Sequence, residues 1–153
     1  MKTINGAIVG LGRMGWRKGI ETPRHLSNYM KPLAHVDAIQ EIENINLIAC
    51  VEINKKVASN FEESYGIPVY SSHEELLHKH DIDLLTIATR TPPKYEIMAK
   101  ALEHTVKGIH CEKPIVQGVK QALMLDNLLH EKSVKITTGA FRRYTGIYKI
   151  FRN

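Results

Sequence analysis

Near the start of the chain, an apolar run ends in three closely spaced glycines. Ile4 to Gly15 reads Ile-Asn-Gly-Ala-Ile-Val-Gly-Leu-Gly-Arg-Met-Gly. Gly10-x-Gly12-x-x-Gly15 has the spacing of a strand-to-helix turn that cradles a pyrophosphate. Each glycine has a separate reason to be there. Gly10 permits the tight turn out of the strand, Gly12 lets a phosphate approach the backbone, and Gly15 lets the following helix pack close to the sheet. The amides at that helix start then face the anion. The turn Gly10, Gly12, Arg13, Met14 and Gly15 is therefore the first candidate binding element. Glycine-rich turns also join strands to helices where no ligand binds, so the rest of the chain has to support the reading.

The remaining pattern is one of alternation. Apolar runs predict strands at Thr3–Val9, Asn46–Val51, Val69–Tyr70, Leu84–Ala88, Val106–Cys111 and Val134–Thr138. Between them, helical periodicity predicts helices over Leu33–Ile42, Lys55–Tyr65, Glu74–Lys79, Lys94–Glu103 and Val119–Glu131. Leu33, Val36, Ile39 and Ile42 fall near one face of the first of these. Gly66 stands where a helix C-cap belongs, and Ser72 with Glu75 matches a capping box. Trp16 to Pro32 carries two prolines and no clean period, and reads as a loop with room for a short helical turn. Six strands alternating with helices predict an α/β fold, a doubly wound parallel sheet of strand order 3-2-1-4-5-6 with its ligand crevice at the carboxyl ends of strands 1 and 4.

Composition removes other classes. The chain of 153 residues has a formal charge of +5, but its Lys and Arg are scattered, with no basic block for a nucleic acid. No apolar run approaches the roughly 18 residues of a membrane helix, and Met1 to Gly6 lacks a signal-peptide core. A soluble cytoplasmic protein is expected, with neither nucleic acid nor membrane as partner. The two cysteines, Cys50 and Cys111, form no CxxC. In the expected strand order they lie about 14 Å apart, too far for a disulfide.

Glu52, at the end of the second strand, is placed to accept hydrogen bonds from adenosine ribose hydroxyls and to repel a 2′-phosphate, which predicts NAD over NADP. Gly15 to Glu52 spans 37 residues, against roughly 20 in the usual pattern. The excess falls in Gly19 to Pro32, a loop predicted to wall the cofactor or substrate. His73, His78 and His80 lack metal-ligand spacing, and His78 to His80 reads as a solvated face. No metal is expected. His35 and His110 stand near the cofactor edge, where structural roles are favoured over proton transfer.

These residues also carry a resemblance. Gly10-x-Gly12-x-x-Gly15, Glu52, Thr91-Pro92-Pro93 and Cys111-Glu112-Lys113-Pro114, in that order, resemble the Gfo/Idh/MocA family of glucose–fructose oxidoreductase and inositol dehydrogenase. The resemblance implies hydride transfer between a nicotinamide cofactor and a secondary hydroxyl or carbonyl of a sugar, cyclitol or similar small molecule. It implies that Lys113 is catalytic, contacting substrate and nicotinamide ribose, and that Glu112 fixes the loop or contacts the cofactor. Thr89, Thr91 and Pro92 would line the nicotinamide half, and Arg142 and Arg143 would bind substrate or pack a domain interface. Glu96 stands where members usually carry a histidine. Residues 1–138 are expected to form the dinucleotide-binding domain. Residues 139–153 would open a second α+β domain that supplies further catalytic groups and most of a homo-oligomer interface, and that is missing from this chain. Tyr144, Ile147, Tyr148 and Phe151 would then present an uncovered apolar face. The alternative is a non-catalytic NAD-binding module, a sensor or partner subunit.

Overall fold

The computed structural model describes residues 3–23 and 32–140. Six parallel strands form one sheet of order β3-β2-β1-β4-β5-β6, as the alternation predicts. They are β1 (Ile4–Val9), β2 (Ile45–Val51), β3 (Val69–Tyr70), β4 (Leu84–Ile87), β5 (Gly108–Cys111) and β6 (Lys135–Thr138). Because all pairings are parallel, every strand delivers its carboxyl end to the same edge. Gly10, Glu52, Ala88, Glu112 and Gly139 each follow a strand directly.

Among the described residues, six α-helices connect the strands: α1 (Lys18–Glu21), α2 (His35–Gln40), α3 (Lys55–Tyr65), α4 (His73–Lys79), α5 (Lys94–Ala101) and α6 (Val119–Lys132). A π-helical turn, Arg13–Arg17, leads into α1. The short helical turn allowed in the expected loop is present, and the chain is helical from Trp16 as far as Glu21. Trp16 explains why. It is buried and packs edge-on against Phe61 of α3, ring centroids 5.2 Å apart, and against Tyr65 at 6.3 Å. This long-range burial overrides a local sequence without periodicity.

Other ends follow local chemistry. The Asn54 side chain accepts from the amides of Lys56 and Val57 and starts α3. Gly66 ends α3 in the left-handed region at φ 67°. The carboxylate of Asp37 accepts from the amides of Leu33 and Ala34 and sets the start of α2. α2 is shorter than expected, and Ile42 lies beyond it, 45% exposed. The Ser72 hydroxyl accepts from Glu74, but the predicted reciprocal half of that capping box gives way to an ion pair of Glu75 with Lys79 at 2.8 Å. Ile97, Met98, Ala101 and Leu102 turn inward as predicted. Cys50 and Cys111 are free and buried, on strands separated by β1 and β4. Among the described residues no helix is long and apolar enough to cross a membrane.

Candidate functional site

The geometry of the glycine turn shows why two of its glycines are needed. Gly10 has φ 95°, and a Cβ there would sit 3.0 Å from both Thr89 Cγ2 and Thr89 N. A Cβ on Gly15 would lie 1.9 Å from the carbonyl oxygen of Gly10, so the helical turn rests directly on the strand exit. A Cβ on Gly12 would meet nothing within 4 Å. That space is open. The first amides to bond back into the turn are those of Trp16 and Arg17, both to the carbonyl of Gly12. The amides of Arg13, Met14 and Gly15 therefore precede any intrahelical donor.

Glu52 is tied to this turn. One carboxylate oxygen accepts from the amide of Leu11 at 2.9 Å, and the other from Asn54 at 2.8 Å. A carboxylate offers about four acceptor sites, so these two bonds orient Glu52 and leave acceptor capacity for hydroxyls. Lys55 and Lys56, which follow it, are exposed.

A cavity of about 800 Å³ opens along the sheet face beside α2. Met14, Thr89, Glu112 and Lys113 line it, so the structure brings these four predicted residues together. Gly10 joins them through its contact with Thr89. Thr91 is half-buried and Pro92 exposed after β4, outside that lining. Arg142, Arg143, the predicted apolar face of residues 144–151, and residues 24–31 of the predicted 19–32 loop lie outside the described residues. Pro32, at the end of that loop, does line the cavity.

Three side chains converge at its inner wall. His35 Nε2 lies 3.4 Å from Glu112 Oε1, and the His35 and His110 rings meet edge-on with centroids 5.2 Å apart. His110 Nδ1 is 2.8 Å from Thr137 Oγ1. Burial pushes both histidines below the ordinary imidazole value. His110 adds to the lowering of His35, while the hydrogen bond to Glu112 opposes it. Gly139 makes room for this arrangement, since a Cβ there would lie 2.5 Å from Glu112 Oε1. The donor atoms of the trio lie within 4.8 Å of one another, so it is here, rather than at His73 to His80, that an ion could be held. His80 leaves the predicted solvated face and bonds the Tyr70 hydroxyl at 2.9 Å.

Two buried polar atoms of cavity-lining residues, His35 Nδ1 and Thr86 Oγ1, have no hydrogen-bond partner among the described residues. An unsatisfied buried polar atom costs about 1–3 kcal/mol, a cost the folded domain carries at both positions. The open space at Gly12 and the oriented Glu52 carboxylate together fit a dinucleotide.

Sequence reasoning missed Lys94. It is 1% exposed, and its ammonium donates to the main-chain carbonyls of Glu112 at 2.5 Å and Pro114 at 3.0 Å. Its one visible signal is a lysine at the first position of a helix, where the macrodipole disfavours a cation.

Comparison with known proteins decides the family. Residues 4–140 match the family model for the Gfo/Idh/MocA oxidoreductases, described as an oxidoreductase family with an NAD-binding Rossmann fold. The chain belongs to this family. Among curated relatives, it is 26% identical over 141 residues to the trans-1,2-dihydrobenzene-1,2-diol dehydrogenase of Xenopus tropicalis, covering 91% of this chain and 41% of that protein. It is 23% identical over 120 residues to the glucose-6-phosphate 3-dehydrogenase of Bacillus subtilis, covering 78% and 33%. Among solved structures, the myo-inositol 2-dehydrogenase of Lactobacillus plantarum matches with a TM-score of 0.78 at 22% identity, over 99% of this chain and 40% of that one. A scyllo-inositol dehydrogenase of Lactobacillus casei, with bound NAD(H) and scyllo-inositol, matches at 0.77 and 20% identity over the same shares. This Gfo/Idh/MocA chain thus spans about 40% or less of the length of these relatives.

Proposed function

We propose that this chain is the cofactor-binding unit of an NAD-dependent dehydrogenase that oxidises a secondary alcohol of a sugar or cyclitol, or reduces the corresponding carbonyl. The observation that carries the reading is convergence. The glycine turn, Glu52, Thr89 and Lys113 come from four different strand ends and meet along one edge of the sheet. Residues 1–138 form the binding domain in this reading, and residues 139–153 lead into a further domain.

When bound, the nicotinamide accepts or donates the hydride. The chain's own residues bind and orient. The backbone at Gly12, with the amides of Arg13 and Met14, receives the pyrophosphate. Glu52 accepts from the adenosine ribose hydroxyls with the acceptor capacity that Leu11 and Asn54 leave. Thr89, Thr91 and Pro92 bound the nicotinamide half. Lys113, exposed at the cavity rim, points a cation toward the reacting oxygen and stabilises the negative charge that develops there. Arg142 and Arg143 contact substrate in the same reading.

The Glu52 carboxylate would repel a 2′-phosphate, so NAD is the preferred cofactor. Dissociation constants for both cofactors test this directly. NAD should bind more tightly, and equal or tighter NADP binding would contradict the assignment of Glu52. Activity is tested by incubating the purified protein with NAD and a panel of polyols and following absorbance at 340 nm. Turnover supports the dehydrogenase reading. Binding without turnover would support the second reading, a non-catalytic NAD-binding module.

A further inference from the structure

α5 begins with a residue that helix physics and burial both disfavour. Lys94 occupies its first position, after the N-cap Pro93, at the positive end of the helix dipole. It is 1% exposed, and fully buried lysines are rare unless paired. Among the described residues, no carboxylate oxygen lies within 4.0 Å of its ammonium. Its partners are main-chain oxygens of three successive residues: Glu112 at 2.5 Å, Pro114 at 3.0 Å, and Lys113 at the longer distance of 3.4 Å. An ammonium has three protons and no acceptor, so one side chain gathers a whole turn of backbone around itself. Charge-assisted bonds of this kind are stronger than neutral ones. Removing the cation would leave carbonyls turned toward a dry interior.

The turn so held contains two of the cavity's charged side chains, Glu112 and Lys113. Glu112 is drawn inward to His35, while Lys113 remains exposed at the rim. Fixing the carbonyls on both sides of Lys113 fixes the direction in which its side chain leaves the backbone. A flexible lysine gains precision only if its Cα is held.

We propose that Lys94 is a positioning residue that locks the Glu112-Lys113-Pro114 turn, and so sets Lys113 and Glu112 for the nicotinamide end of the cofactor. The proposal rests on the cofactor reading above. It separates the two ends of the dinucleotide: Lys94 governs the nicotinamide end and leaves the adenine end, at Gly12 and Glu52, unaffected.

The test compares wild type, Lys94→Met and Lys94→Arg by amide hydrogen exchange and by titration with NADH and with ADP, which lacks the nicotinamide end. In Lys94→Met, the hydrogen-bonded amides of Glu112 and Gly139, which donate to the carbonyls of Ile87 and Cys111, should exchange at least tenfold faster. NADH should bind about tenfold more weakly, with ADP affinity within twofold of wild type. Lys94→Arg, which keeps the donors, should recover slow exchange. Unchanged exchange in the turn would overturn the proposal, as would faster local exchange with unchanged NADH affinity. Loss of protection across the whole chain, with ADP and NADH weakened in step, would make Lys94 merely structural and also overturn it. If Lys94→Met is insoluble, Lys94→Gln takes its place in the same comparison. If wild type binds neither nucleotide, the cofactor reading fails, while the exchange data still show whether the lock exists.

Discussion

Two alanine substitutions in the same turn should have opposite consequences. At Gly15, a methyl group would lie 1.9 Å from the Gly10 carbonyl oxygen and 3.0 Å from its carbon. Both atoms are backbone, so neither can swing aside as a flexible side chain would. Overpacking typically costs about 1–3 kcal/mol, and backbone meeting backbone belongs at the upper end. Replacing glycine in a helical turn returns about 0.5–1 kcal/mol, which leaves a net loss of about 2 kcal/mol for Gly15→Ala. For a domain of this size that lowers Tm by roughly 4–8 °C. At Gly12, φ is −66° and the added methyl would meet nothing within 4 Å. Gly12→Ala should leave Tm within about 1 °C of wild type, yet fill the space proposed for the pyrophosphate and weaken NADH binding at least tenfold. Thermal denaturation by circular dichroism and NADH fluorescence titration provide the two readouts. If Gly12→Ala binds NADH like wild type, Gly12 does not face the cofactor. If Gly15→Ala is as stable as wild type, the close approach to Gly10 is not what requires a glycine there.

The histidines set a pH dependence. His35, His73 and His110 are all held below the ordinary imidazole value, chiefly by burial. Below about pH 6.5 the unfolded chain takes up these protons first, so stability falls with pH until the folded state protonates as well. The slope is at most about 1.4 kcal/mol per pH unit for each histidine. Tm should fall between pH 7.5 and 5.5, and a Tm that is flat or rises on acidification would contradict the burial of these rings. Burial raises the Cys50 thiol to about 12 and the Cys111 thiol to about 11. Neither should react with a disulfide reagent at pH 8 in the native protein, and both should react on unfolding. Rapid native labelling of Cys111 would mean that the end of β5 is open.

Much of this molecule is written in local patterns. The six strands are legible because parallel strands covered on both faces appear as short apolar runs, as in Ala7-Ile8-Val9 and Leu47-Ile48-Ala49-Cys50-Val51. The glycines are legible because their constraints are backbone constraints, set by neighbours a few residues away. Trp16 and Lys94 are different. Trp16 is helical because of Phe61 and Tyr65, and Lys94 has its meaning only beside the carbonyls of Glu112 and Pro114. In each case the deciding contact is with a segment distant in sequence, so no local window contains it. His35 and His110 stand between these extremes. Their types suggest chemistry, but only the fold brings α2 over the end of β5 and shows that Glu112 joins them.

The central claim is that one dinucleotide spans the glycine turn and the Glu112-Lys113 turn. Titrating isotopically labelled protein with NADH while following backbone amide resonances measures this directly. Saturable shifts should appear both at Gly10, Gly12, Arg13, Met14 and Gly15 and at Glu112 and Lys113, with one dissociation constant for both groups. Shifts confined to other surfaces, or no saturable shift at the glycine turn, would contradict it.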